Sequence, residues 1–240
     1  MSCISTKNLN ISYGNLDIVK DLNLDIPKGK ITTIIGSNGC GKSTILKTIA
    51  RIIQAKSGDI FVNNINIKEQ SPKDLAKVMA VLPQSPQAPS GLTVEELIAY
   101  GRFPHQKGFG KMRKEDEDIV TWALKSTGIE DFRERPMEAL SGGQRQRAWI
   151  AMALAQQTEI LILDEPTTYL DLAHQLEILK LLEELNRKQG TTIVMVIHEL
   201  NNAARFADHM IGVKKGKVVC EGTAHEVMTK ENLKELFNID

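Results

Sequence analysis

The stretch from Ile31 to Ser43 constrains the fold more than any other. A β-rich run, Ile31-Thr32-Thr33-Ile34-Ile35, leads into Gly36-Ser37-Asn38-Gly39-Cys40-Gly41-Lys42-Ser43. The spacing fits G-x-x-x-x-G-K-S/T, a pattern that has meaning only between a strand and a helix. Its glycines let the loop turn its backbone N–H groups inward onto phosphate, and the N-terminus of the following helix favours an anion. Lys42 supplies charge to the β- and γ-phosphates and Ser43 a ligand for Mg²⁺, so residues Gly36 through Ser43 with Thr44 form the candidate nucleotide-binding set. A plain glycine-rich turn is the alternative, and Lys42-Ser43 in register argue against it.

A second strand carries the complementary chemistry. Ile160-Leu161-Ile162-Leu163 is an apolar run that delivers Asp164 and Glu165 to its C-terminal end, where parallel α/β sheets place ligands. Asp164 is assigned to Mg²⁺, and Glu165 to orienting and deprotonating the attacking water. The helical pattern Leu172 to Gln189 and the run Thr192 to Ile197 complete a strand, helix, strand unit, which implies a parallel sheet. The segment Ser2 to Phe61 reads as short strands around one helix beginning near Lys42. Between residues 85 and 157 prolines 86 and 89 open a stretch dominated by helical periodicity: Val94 to Tyr100, Glu115 to Ser126 and Gln144 to Gln156. The expected class is α/β. A mixed-sheet core with an antiparallel β part (1–84 and 158–240) carries an inserted helical subdomain (85–157). Met210 to Val219 reads as a closing hairpin and Ala224 to Phe237 as one short final helix.

Composition excludes alternatives. Lys+Arg 30 against Asp+Glu 30 leaves no net field to hold nucleic acid or anionic lipid. The longest apolar runs are far short of the roughly 20 residues of a membrane-spanning helix. The opening MSCISTKNLN lacks a basic start followed by an apolar stretch, which predicts a cytoplasmic protein. Cys3, Cys40 and Cys220 are odd in number and without metal-ligand spacing, as expected of free thiols in a reducing compartment. Cys40, beside a helix N-terminus, is either a reactive thiol or a tolerated small residue.

Leu140-Ser141-Gly142-Gly143-Gln144 resembles the signature of ABC ATPases. Ser141 can cap the helix that follows, and Gly142 and Gly143 expose backbone donors, which makes a second anion-binding surface. The resemblance implies an ABC-type P-loop ATPase fold with a RecA-like core. It also implies that Ser141, Gly142, Gly143 and Gln144 meet the γ-phosphate held by a second copy, in a head-to-tail dimer enclosing two ATP molecules. Other elements resemble the family in order. Tyr13 matches the aromatic that stacks on adenine, and Gln84 the glutamine that senses Mg²⁺ and water. Thr168-Tyr169-Leu170-Asp171 matches the loop between protomers, with Asp171 its acid, and His198 the histidine on the γ-phosphate. Glu165, His198 and Gln84 are thus the catalytic candidates, and Ser43, Gln84 and Asp164 those for Mg²⁺. Many relatives have Asp after the histidine where this chain has Glu199.

The segment Leu92 to Arg102 with Pro104-His105, and Thr167 to Gln175, resemble motors of ferric-siderophore, haem and vitamin B12 importers, with ferric siderophore the reading favoured. Taken without the resemblance, the first is an amphipathic helix with solvated Glu95, Glu96 and Arg102. The resemblance implies integral membrane permease subunits as partners, an external substrate-binding protein acting through them, and a place at the cytoplasmic face of the membrane. A soluble ATPase of iron–sulfur cluster assembly and a regulatory module without turnover are the competing readings.

Overall fold

The computed structural model describes residues 1–106, 112–168 and 170–239. Its first half runs β1 (Ser2–Tyr13), β2 (Leu16–Pro27), β3 (Ile31–Ile35), α1 (Lys42–Ile49), β4 (Ser57–Val62), β5 (Ile65–Asn66), α2 (Pro72–Val78) and β6 (Met79–Leu82). Then follow α3 (Val94–Tyr100), α4 (Lys114–Ser126), α5 (Gly142–Ala155), β7 (Ile160–Asp164), α6 (Leu172–Gln189), β8 (Thr192–Val196), α7 (Leu200–Phe206), β9 (His209–Lys214), β10 (Lys217–Gly222), α8 (Ala224–Val227) and α9 (Lys230–Phe237).

Two sheets result. β2, β1, β4 and β5 pair in that order, antiparallel throughout. The other sheet has the order β10-β9-β3-β8-β7-β6, in which all neighbours are parallel except β10 on β9. Strands β3, β7 and β8 are buried along their whole length, because both faces of the sheet are covered, and so they read in the sequence as unbroken runs rather than alternations. The period of two still decides which side each residue serves. Leu161, Leu163, Ile193 and Met195 join the core beneath the helices, whereas Ile160, Ile162, Val194 and Val196 join the core shared with α1 and the antiparallel sheet. Both cores therefore bear on the carboxyl ends of β3, β7 and β8.

Helices α3, α4 and α5 lie in the sequence between β6 and β7, which are themselves paired neighbours. At the base of this group sits a buried ion pair. Arg102, 4% exposed, donates from Nε to Asp116 Oδ1 at 2.8 Å and from Nη1 to the carbonyl of Ala155 at 2.7 Å and Gln157 Oε1 at 3.3 Å. Burial opposes ionisation of Asp116, yet Arg102 and Arg113 hold its carboxyl below the usual range. This corrects the expectation of a solvated Arg102: the side chain is enclosed because three separate acceptors converge on its planar fork. Glu95 is half-buried against Arg133, while Glu96 closes a capping box with Thr93. Lysine cannot reach all of Arg102's acceptors. Arg102→Lys should therefore lower stability by about 2 kcal/mol, seen as a lower urea midpoint at unchanged slope. An unchanged midpoint would mean that the cluster adds nothing.

Three further expectations change. β1 and β2 are twelve residues each rather than short strands. The final helix is split into α8 and α9, because Thr229 starts a fresh helix by capping Asn232. Helix α2 and strand β6 were not anticipated, although Ser71-Pro72 is a helix start: Ser71 accepts from the amide of Asp74, and proline stands at the first helical position. No helix among the described residues is long and apolar enough to cross a membrane.

Candidate active site

The phosphate loop lies between β3 and α1, as its spacing requires. Gly36 has φ +149, and a Cβ there would fall 2.1 Å from the carbonyl oxygen of Val213, so both conformation and space admit only glycine. Lys42 is buried and its Nζ donates to the carbonyls of Gly36 at 2.8 Å and Ser37 at 3.0 Å, which closes the loop around its own ammonium. Gly41 takes a left-handed conformation at the start of α1, so the loop turns directly into a helix N-terminus.

Strand pairing brings the acids to this loop, since β3 pairs with β8 and β8 with β7. Ser43 donates from Oγ to Asp164 Oδ1 at 2.8 Å, whereas Asp164 Oδ2 is buried and has no hydrogen-bond partner among the described residues. Burial pushes the Asp164 carboxyl above its usual range, against the opposing pull of the Ser43 hydroxyl. A buried carboxylate oxygen without a donor beside a serine hydroxyl suits a small hard cation with oxygen ligands. Among the described residues no group of three or more His, Cys, Asp or Glu could hold a metal ion. Such a donor set fits Mg²⁺, which takes one or two protein oxygens and fills its octahedron with water and substrate phosphate.

Glu165, 9% exposed, is the meeting point of three segments. Gln84 Nε2 donates to its Oε2 at 2.5 Å, Thr168 Oγ1 donates to the same oxygen at 2.9 Å, and His198 Nε2 lies 2.5 Å from Oε1. Its φ of +56 is a left-handed conformation costing a non-glycine residue about 1 kcal/mol, and it aims the carboxylate off the end of β7. Gln84 comes from the chain leaving β6, Thr168 from the loop after β7, and His198 from the end of β8. The contact of Thr168 with Glu165 was not foreseen; only its place three residues on, within reach of a carboxylate turned backward, signals it.

These groups line one open cleft of about 500 Å³, bounded by Ile18, Asn38, Gly39, Gly41 to Thr44, Gln84, Glu165, Thr168 and His198. Tyr13, at the end of β1, is 51% exposed and lies outside the lining, where Ile18 contributes the apolar wall. Cys40 is buried beneath the loop, its Sγ 3.9 Å from Lys42 Nζ. Ser141 to Gln144 also lie outside the cleft of their own chain. Ser141 caps α5 by accepting from the amide of Gln144 at 3.3 Å, and the Gln144 side chain accepts from the amide of Ser141 at 3.0 Å. Gly142 is open to solvent and Gly143 buried. Asp171 caps α6 through His174. Tyr169, within the expected inter-protomer loop, lies outside the described residues.

A family model described as "ABC transporter" matches residues 19–168. The chain is 64% identical over 240 residues to the iron(3+)-hydroxamate import ATP-binding protein FhuC of Bacillus subtilis, covering 100% of this chain and 89% of that protein. Two solved structures resemble it along most of their length. An inward-facing conformation of a putative metal-chelate type ABC transporter aligns at TM-score 0.86 and 32% identity, covering 100% of this chain and 90% of that one. The dimeric structure of MJ0796, a bacterial ABC transporter cassette, aligns at TM-score 0.81 and 32% identity, covering 92% and 98%.

Proposed function

The chain belongs to the ABC transporter ATP-binding family, and from that premise we propose that it is the motor of an importer for ferric hydroxamate siderophores. The observation that carries the reading is the Glu165 carboxylate, held by Gln84, Thr168 and His198 beside a phosphate loop whose Ser43 already touches Asp164. A carboxylate so placed is a base for a water, not a structural ion pair.

In the proposed mechanism the amides from Asn38 to Thr44 and the Lys42 ammonium receive the β- and γ-phosphates. The half-exposed Tyr13 offers a ring for adenine to stack on. Mg²⁺, when bound through Ser43, Asp164 and Gln84, neutralises charge on the phosphates. Glu165 takes a proton from the attacking water while Gln84 and His198 fix the carboxylate and the γ-phosphate. The signature at Ser141 to Gln144 lies outside its own cleft, which suits donation to ATP held by a second copy in a head-to-tail pair. Closure of that pair carries the lobe of residues 85–157, and with it the permease subunits, at the cytoplasmic face of the membrane. The binding protein and the cargo are handled by other chains.

Identity of 64% along the whole length supports the hydroxamate cargo. Cells lacking this chain should lose uptake of labelled ferric hydroxamate and regain it when the chain is returned, with haem and cobalamin uptake unaffected. Undiminished ferric hydroxamate uptake in the deleted cells would overturn the assignment.

A further inference from the structure

Asp171 and the signature belong to different elements, yet one side chain joins them. His174, in the first turn of α6, gives its backbone amide to Asp171 Oδ1 at 3.0 Å, and its Nδ1 lies 2.8 Å from Asp171 Oδ2, so both carboxylate oxygens are engaged by one residue. That engagement holds the Asp171 carboxyl below its usual range. The other side of the same imidazole lies on Gly143. A Cβ at Gly143 would come 3.0 Å from His174 Cδ2 and 3.3 Å from Cγ, closer than nearly all real contacts, so the ring uses the space that glycine leaves. One turn further along both helices the seam repeats: Arg147 Nη2 bonds Glu177 Oε2 at 2.5 Å, and Arg147 Nη1 donates to the carbonyl of Thr127 at 2.9 Å. Residues 143 and 147 are one face of α5, and 174 and 177 one face of α6.

We infer that His174 is a positioning residue that fixes the loop acid Asp171 against the signature glycine Gly143, so that the two surfaces a chain presents to its ATP-bound partner copy keep one spacing. The inference rests on the ATP-sandwich reading above. Its physical content is a limit on relative motion. The imidazole is rigid, is held at Nδ1 by a charged acceptor, and packs on backbone rather than on a flexible side chain, so the loop cannot move off α5 without breaking that contact. His174 is not among the residues that line the cleft. Its loss therefore leaves nucleotide capture by the single chain intact and acts on the assembled pair.

The test uses His174→Ala, which removes the ring, and His174→Asn, whose amide nitrogen can stand where Nδ1 stands. Both are made in the native chain and in a Glu165→Gln chain that holds ATP. The half-exposed site tolerates either substitution, and thermal melting checks this. Three quantities are read: binding of labelled ATP by the isolated chain, ATP-dependent dimer formation by size-exclusion, and kcat and KM of the assembled transporter. His174→Ala should bind ATP as the native chain does but dimerise about 10- to 100-fold less readily, with kcat falling and KM little changed, the effect expected of a displaced group remote from the chemistry. His174→Asn should restore most of both. Native-like dimerisation and kcat in His174→Ala would overturn the inference. So would equal losses in Ala and Asn accompanied by weaker ATP binding, the sign of a merely structural side chain. If the Glu165→Gln chain with His174 intact forms no dimer on adding ATP, the sandwich reading falls first and takes this inference with it.

Discussion

Glu165→Gln lowers ATP turnover by about 10²- to 10⁴-fold while ATP binding and ATP-dependent dimerisation persist. The substitution keeps the shape and the backbone conformation, so the left-handed φ of +56 costs the variant no more than it costs the native chain. What it removes is the capacity to accept a proton. Gln84, Thr168 and His198 continue to surround a side chain of the same size, so the cleft stays assembled. Phosphate release from the transporter, measured at saturating ATP and Mg²⁺, reads the loss directly, and size-exclusion with ATP shows whether the pair survives. Turnover within about 3-fold of native would remove Glu165 as the base and turn attention to a water activated by phosphate itself.

Lys42→Ala fails earlier in the cycle. The side chain is buried and is the donor to two carbonyls of its own loop, so its removal takes away the cation for the phosphates and also unties the loop. Charged hydrogen bonds of this kind contribute up to about 3 kcal/mol, which corresponds to roughly 100-fold in Kd. Equilibrium dialysis with labelled ATP measures it. The two variants should separate cleanly: one binds normally and turns over slowly, the other binds roughly 100-fold more weakly. Native affinity in Lys42→Ala would show that the backbone amides hold the phosphates alone.

The parts of the site made by local sequence were legible before the structure. Gly36 to Ser43 and Asp164-Glu165 sit at the ends of strands that are buried on both faces, the second an unbroken apolar run and the first a β-branched run that includes Thr32 and Thr33. The capping box at Ser141 and Gln144 also reads directly from its spacing. The resemblance supplied Gln84 and His198, which no local pattern would have singled out. Their value comes from strand order, since β6 and β8 flank β7 and bring both residues onto Glu165. Arg102 escaped for a similar reason: its acceptors, Asp116, Ala155 and Gln157, arrive from 14, 53 and 55 residues away, and its burial is a property of the assembled lobe. Helix α2 is as short as α3 but buries only Leu75 along its length, so its sequence shows no apolar face, and only Ser71-Pro72 marks its start.

The three contacts on Glu165 tie distant parts of the chain to one carboxylate. Its two oxygens are committed to a glutamine, a threonine and a histidine that arrive on three separate stretches of chain. A shift in any one of those stretches alters the same carboxylate. As the base proposed above, Glu165 registers each of the three stretches separately.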